Sequence, residues 1–142
     1  MPEQPKNQDA APTAQEFSRF LTEEYRSMKT YGILSGKSRN PNIRRTFIRL
    51  RDDEQRHLKL LQTEHFLLFG DSKKPQEPNI TLRTMPEMLQ MLYKAENAAS
   101  DGYKKAALQT SDPKLRGLFT RLSEEEKKHA DIIRTLTAQL LK

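Results

Sequence analysis

Cysteine, tryptophan and valine are all missing from the 142 residues, and glycine occurs only five times. Without cysteine there are no disulfides, thiolate metal sites, cysteine nucleophiles or cysteine-ligated iron–sulfur clusters. The expected setting is therefore intracellular, reducing and cytoplasmic. A chain with no valine and only six isoleucines is poorly suited to a sheet. No apolar run approaches the ~18 residues that a membrane-spanning helix needs, so no membrane partner is expected. Only 35% of the residues are apolar and 31% are charged. That balance fits a narrow core, as when long helices each bury one stripe. The formal charge is +6 and the pI near 9.6. Arg44, Arg45, Arg49, Arg51, Lys73 and Lys74 make the middle of the chain basic, but Asp52, Asp53 and Glu54 lie among them. The pattern reads as a solvated helix face rather than a nucleic-acid surface, so no nucleic-acid partner is expected.

Breakers and caps divide the chain into four helices. Residues 1–12, with three prolines and almost nothing apolar, are expected to form a disordered tail. Thr13-Ala-Gln-Glu16 has the form of a capping box and opens a helix expected to stop at Gly36. Asn40-Pro41 pairs an N-cap with a proline at the first helical position, and the second helix should reach Phe69, ahead of Gly70. Residues 70–83 hold turn formers and two prolines and read as a linker. Thr84-Met-Pro-Glu87 is a second expected capping box, and Asp112-Pro113 repeats the Asn40-Pro41 signal. The halves are copies: a shift of 72 residues superposes Glu24 on Glu96, Tyr31 on Tyr103, Pro41 on Pro113, Phe47 on Phe119, Glu54 on Glu126 and His57 on His129. The fold class is therefore all-α. The expected architecture is an antiparallel four-helix bundle of two repeated hairpins (13–69 and 84–142), joined by a long crossover linker.

Each helix carries a seam of apolar residues at steps of three and four. In the second it runs Ile43, Phe47, Leu50, Glu54, His57, Leu61, Leu68, and in the fourth Leu115, Phe119, Leu122, Glu126, His129, Ile133, Leu136, Leu140. The first follows Phe17, Phe20, Glu24, Met28, Tyr31, and the third Leu89, Leu92, Glu96, Ala99, Tyr103. Four glutamates and two histidines thus interrupt four seams at the middle level. Four buried carboxylates are intolerable unless something compensates their charge. Two divalent cations do so, since four carboxylates, two neutral imidazoles and two such ions sum to zero. Positions three apart are neighbours on a helix, so Glu54 with His57 and Glu126 with His129 suit one metal each. Both motifs follow a seam glutamate, Glu24 or Glu96, at the same interval of 30 residues. A register one residue off would put Glu23 in place of Glu24. His65, whose counterpart is Thr137, reads as a surface or end-of-bundle histidine. Glu23, Asp53, Glu124 and Glu125 lie mostly ~100° or more off the seam and read as solvated.

On Glu24, Glu54-Gln-Arg-His57, Glu96 and Glu126-Lys-Lys-His129, the chain resembles the ferritin-like superfamily and, within it, rubrerythrin-like di-iron carboxylate proteins, over roughly residues 13–141. The resemblance implies that Glu54 and Glu126 bridge two metals, that Glu24 and Glu96 are terminal carboxylates, and that His57 and His129 are terminal nitrogen ligands. It also places Tyr31 and Tyr103 beside the centre as hydrogen-bonding catalytic candidates. Two departures stand out. Rubrerythrins carry an extra glutamate one turn before the third-helix ligand, where this chain has Tyr93, so their metal shift is not implied here. They also append a cysteine-ligated rubredoxin domain, for which this chain has no cysteine.

The function so implied is a centre of two iron ions reacting with dioxygen or hydrogen peroxide, as an iron-oxidising or peroxide-removing oxidoreductase supplied by an external electron donor. Manganese suits the same ligands. The alternative is a metal-stabilised helical scaffold without turnover. A second helix of ~28 residues is about 42 Å long, and ~15 linker residues span about 50 Å when extended. So little slack makes a homodimer, with or without exchanged hairpins, the expected assembly.

Overall fold

The computed structural model describes residues 12–141. Of the tail expected over residues 1–12, residues 1–11 lie outside the described residues, while Pro12 is buried. Each helix begins where a side chain meets the free N–H groups of its first turn: α1 (Ala14–Lys37), α2 (Pro41–Phe69), α3 (Met85–Gln109) and α4 (Pro113–Leu140). Thr13 Oγ1 accepts from the Glu16 N–H at 3.1 Å while Glu16 Oε1 accepts from the Thr13 N–H at 3.2 Å, a complete capping box. The Asn40 carboxamide oxygen accepts from the N–H groups of Asn42 and Ile43, and Asp112 accepts from Lys114. The box expected at Thr84 is only half formed. Its hydroxyl takes the Glu87 N–H, but the Glu87 carboxylate accepts from that hydroxyl instead of from the Thr84 backbone. Among the described residues there is no strand.

Two helix ends differ from expectation. Gly70 stops α2 in the left-handed region (φ 85°), with its N–H on the Phe66 carbonyl, as glycine permits. Gly36 does not stop α1, which runs on to Lys37. The exit is made instead by extended Ser38, whose hydroxyl donates to the Leu34 carbonyl at 2.8 Å and whose own carbonyl accepts two N–H groups of Arg44. Arg116 donates a single N–H to the Thr110 carbonyl at the corresponding place in the second hairpin, at 2.8 Å.

Two apolar blocks set the helix directions. One joins Phe17, Phe20 and Leu21 of α1 to Leu61 of α2, Tyr103 of α3 and Phe119 of α4. The other joins Tyr31 and Leu34 to Phe47, Leu89 and Ile133. The start of α1 and of α4 therefore meets the end of α2 and of α3, so α1 is antiparallel to α2 and α3, while α2 and α3 run parallel. The linker must return along the whole bundle, and it does. Gln62 donates to the Lys73 carbonyl, Tyr25 donates to Glu77 at 2.8 Å, and Ile80 and Thr81 share a cavity with Thr30 and Met88.

The seam of α2 ends differently from expectation. Leu68 is 38% exposed, and His65 fills the buried slot one turn after Leu61. His65 is thus an end-of-bundle residue and not a surface one. Its Nδ1 lies 2.7 Å from the Asp71 carbonyl and its ring lies against Phe17 and Phe69. No helix among the described residues is long and apolar enough to cross a membrane.

Candidate metal centre

Between the two apolar blocks, the four seams deliver Glu24, Glu54, His57, Glu96, Glu126 and His129 to one level, each at most 2% exposed. Glu23, the register alternative, lies at the surface against Arg26. The six form two overlapping groups, Glu24-Glu54-His57-Glu126 and Glu54-Glu96-Glu126-His129, whose ligand atoms lie within 4.8 Å of one another inside each group. Glu54 and Glu126 belong to both. His57 Nδ1 is 3.3 Å from Glu126 Oε1, 3.4 Å from Glu54 Oε1 and 3.5 Å from Glu24 Oε2. His129 Nδ1 is 2.7 Å from Glu96 Oε2, 3.0 Å from Glu54 Oε1 and 3.2 Å from Glu126 Oε1. The imidazoles stack nearly parallel, their centroids 5.9 Å apart.

Six atoms of this cluster are buried without a hydrogen-bond partner: Glu24 Oε2, both oxygens of Glu54, His57 Nδ1, Glu96 Oε1 and Glu126 Oε1. Buried polar atoms are nearly always paired, each orphan costing about 1–3 kcal/mol. Oxygen and imidazole donors converging from four helices are the donor set of an iron or manganese site. The residues fit the group.

Protons must balance the acids where cations do not. Burial raises the Glu24 carboxyl, and the Glu126 charge adds to it. Burial likewise lifts Glu54 well above the carboxylate range, helped by the charges of Glu24, Glu96 and Glu126. Glu96 is pushed up to about 8, by burial first and then by Glu126. Glu126 alone moves the other way: burial opposes its ionisation, but the close approach of His129, His57 and Glu54 outweighs that and holds it ionised. Burial pulls the His129 imidazole down, yet the carboxylates of Glu126 and Glu96 raise it to about 11. His57 is raised in the same way by Glu126, Glu24 and Glu54. The protons holding this arrangement are those a metal would replace.

The two tyrosines cross between hairpins. Tyr103 of α3 donates to Glu24 Oε1 of α1 at 2.6 Å. Tyr31 of α1 stands edge-on to His129, with a buried hydroxyl that has no hydrogen-bond partner. Burial raises both phenols well above the usual range, Tyr103 next by the Glu24 charge and Tyr31 next by that of Glu96.

Two functional residues escaped the sequence reading. Asp53 and Glu125 are not merely solvated: Asp53 of α2 lies 3.0 Å from Nε2 of His129 on α4, and Glu125 of α4 lies 3.0 Å from Nε2 of His57 on α2. Each outer carboxylate orients the other hairpin's imidazole, leaving Nδ1 to face the cluster. Arg56 closes the outside, 2.5 Å from Glu125 Oε1 and 3.6 Å from Asp53 Oδ1. Glu124 stays exposed, as expected. The missed signal was the repeat itself, since the same 72-residue shift superposes Asp53 on Glu125.

Comparison with known proteins agrees with this geometry. A family profile described as Rubrerythrin matches residues 18–137. The uncharacterized protein YhjR of Bacillus subtilis (strain 168) is 27% identical over 112 residues, covering 79% of this chain and 77% of YhjR. A hypothetical protein from Pyrococcus furiosus shares the fold with a TM-score of 0.75 at 19% identity, covering 89% of this chain and 88% of that one.

Proposed function

The chain belongs to the rubrerythrin family, and from that premise we propose that its central cluster binds two metal ions, iron in the first place and manganese by the same ligands. In this reading Glu54 and Glu126 are shared by both ions. Glu24 with His57 completes one position, and Glu96 with His129 the other. Two irons held there would supply a two-electron couple for the reduction of dioxygen or hydrogen peroxide, with electrons from an external donor or from the iron itself. The chain's own residues prepare that chemistry. Asp53 and Glu125 keep Nε2 protonated and Nδ1 free, Tyr103 holds Glu24 in place, and the apolar blocks keep bulk water away from the charged layer. A homodimer, with or without exchange of hairpins through residues 70–83, belongs to the same proposal.

The supporting observation is the six buried ligand residues, in two groups overlapping at Glu54 and Glu126, five of which carry orphaned atoms. The test is elemental analysis after anaerobic ferrous loading, followed by optical spectroscopy on addition of air or peroxide. Near two irons per chain, with rapid growth of near-ultraviolet absorbance, is the expected result, and Glu54→Ala and His129→Ala should lower the iron content. Iron retained in full by both variants would overturn the assignment. Iron bound but not rapidly oxidised would make the protein a metal-stabilised scaffold.

A further inference from the structure

The repeat makes the two halves of the centre equivalent in ligand type, but their surroundings are not equivalent. On the His57 side, one oxygen of Glu125 is shared between the imidazole Nε2 at 3.0 Å and the Arg56 guanidinium at 2.5 Å. On the His129 side, Asp53 Oδ2 meets the imidazole at 3.0 Å, while Arg56 is 3.6 Å from the other oxygen, too far for a hydrogen bond. The 72-residue counterpart of Arg56 is Lys128, which makes no ion pair among the described residues and lies along the groove between α3 and α4. The terminal glutamates differ in the same sense. Glu24 accepts the Tyr103 hydroxyl at 2.6 Å, whereas the corresponding Tyr31 hydroxyl has no partner.

Both differences weaken the same donors. A carboxylate behind a histidine raises the basicity of the ring as a ligand. A guanidinium on that carboxylate draws the charge away again, and a short hydrogen bond to a ligand carboxylate takes electron density that a metal would otherwise receive. We infer that the two metal positions are unequal: the Glu96–His129 position binds the tighter ion and fills first, while Arg56 and Tyr103 make the Glu24–His57 position the weaker and more exchangeable one. The inference rests on the two-metal reading of the cluster and adds an order of filling to it.

Cobalt(II) alone is the probe. Crystals of the chain loaded with one equivalent of cobalt per chain, measured at the cobalt absorption edge, give the occupancy of each position from anomalous scattering. Solution binding isotherms give the affinities. Orienting partners of this kind are worth about 10–100-fold in metal affinity. Occupancy should therefore concentrate at Glu96–His129 by about tenfold or more. Arg56→Gln and Tyr103→Phe should each shift cobalt toward Glu24–His57, and together bring the positions to near-equal filling. Arg56→Lys, which keeps the charge, should preserve the order. Arg56 is half exposed, so its variants leave the packed layer intact. Equal occupancy in the unaltered protein, the reverse order, or an occupancy ratio unmoved by both variants would overturn the inference while leaving the two-metal site standing. Failure to bind cobalt at all would instead remove the site on which it rests.

Discussion

The two hairpins have the same plan and different fittings. In α3 and α4, the Ser100 hydroxyl donates to the Ser123 carbonyl at 2.8 Å and the Ser123 hydroxyl donates to the Ser100 carbonyl at 2.7 Å, a buried reciprocal clasp between small residues. The matching positions of α1 and α2 hold Met28 and Arg51, neither of which is fully buried. The first hairpin has Arg56 above its histidine and a complete capping box at its start. The second has Lys128 and half a box. The positions whose chemistry depends on their atom type, the six at the middle level, are the same in both halves. Several positions that hold helices together or face water, those of the serine clasp and Arg56 among them, have diverged, although Phe47 and Phe119, and Arg44 and Arg116, still match. The six site positions are met twice in the same way, while the scaffold around them tolerates differences at some positions and not at others.

The largest expected effect is a pH dependence of the metal-free protein, to which both halves contribute in the same sense. Glu96 is raised from 4.5 to about 8, so in the folded chain it keeps its proton where an unfolded chain would lose it. A raised group contributes stability that is fully present below the unfolded value and disappears as pH rises through the folded value. The metal-free melting temperature should therefore fall between pH 4.5 and about pH 8. Glu24 and Glu54, also raised, and above about pH 6.5 the two raised histidines, act in the same sense, so Glu96→Gln, which cannot ionise, should reduce that slope without abolishing it. Glu126, lowered by its histidine partners, acts in the opposite sense, and its contribution is lost only in acid below the ordinary carboxylate range. Circular-dichroism melts at several pH values measure the slope, and an unchanged slope in Glu96→Gln would reject the assignment. With metal bound the carboxylates are ionised in the folded state, and the fall should vanish or reverse.

Much of this site was legible because helix periodicity is a local property. Seam positions recur at three and four residues, so Glu24, Glu54, His57, Glu96, Glu126 and His129 could be assigned to the interior from spacing alone, and the structure buries all six. What lay beyond the sequence depends on distances between helices. Asp53 and Glu125 sit about 100° from the adjacent seam glutamates, and on an isolated helix that direction is solvent. Only the approach of α2 and α4 turns it toward the opposite histidine. The crossing of Tyr103 to Glu24 is hidden for the same reason, since it needs the antiparallel packing of α1 on α3. At the bundle's end the seam rule fails in the other direction. Beyond Leu61, Leu68 is left 38% exposed, and His65 is buried instead, against Phe17 of α1, Phe69 and the turn into the linker.

The tyrosine pair gives a smaller effect, with different outcomes in the two halves. Tyr103→Phe removes the hydroxyl that satisfies a buried oxygen of Glu24 and should destabilise the metal-free protein by about 1–3 kcal/mol. Tyr31→Phe removes a hydroxyl that already lacks a partner, and should be neutral or slightly stabilising. Denaturant unfolding of the two variants measures the difference. Equal destabilisation would mean that Tyr31 has a partner in solution and that the halves are more alike at this level than their geometry indicates.

The smallest effect concerns the helix starts. Thr13 and Thr84 both accept an N–H from a glutamate three residues on, but only at Thr13 does that glutamate return a hydrogen bond to the cap's own backbone. Replacing an N-cap threonine with alanine costs about 0.5–2 kcal/mol. Thr13→Ala should lie in the upper half of that range, because the same hydroxyl also helps to hold the Glu16 carboxylate on the Thr13 N–H, so both halves of the box weaken together. Thr84→Ala should lie near the bottom. Glu87, freed from the Thr84 hydroxyl, keeps Arg83 at 3.6 Å as an ion-pair partner and remains near the positive end of α3. The gap between the variants, read from denaturant midpoints at constant slope, measures how far the hydroxyl supports the reciprocal bond. If the two costs are equal, the Thr13 hydroxyl does not support the backbone half of the box, and the asymmetry of the hairpins at their starts carries no energetic consequence through the caps.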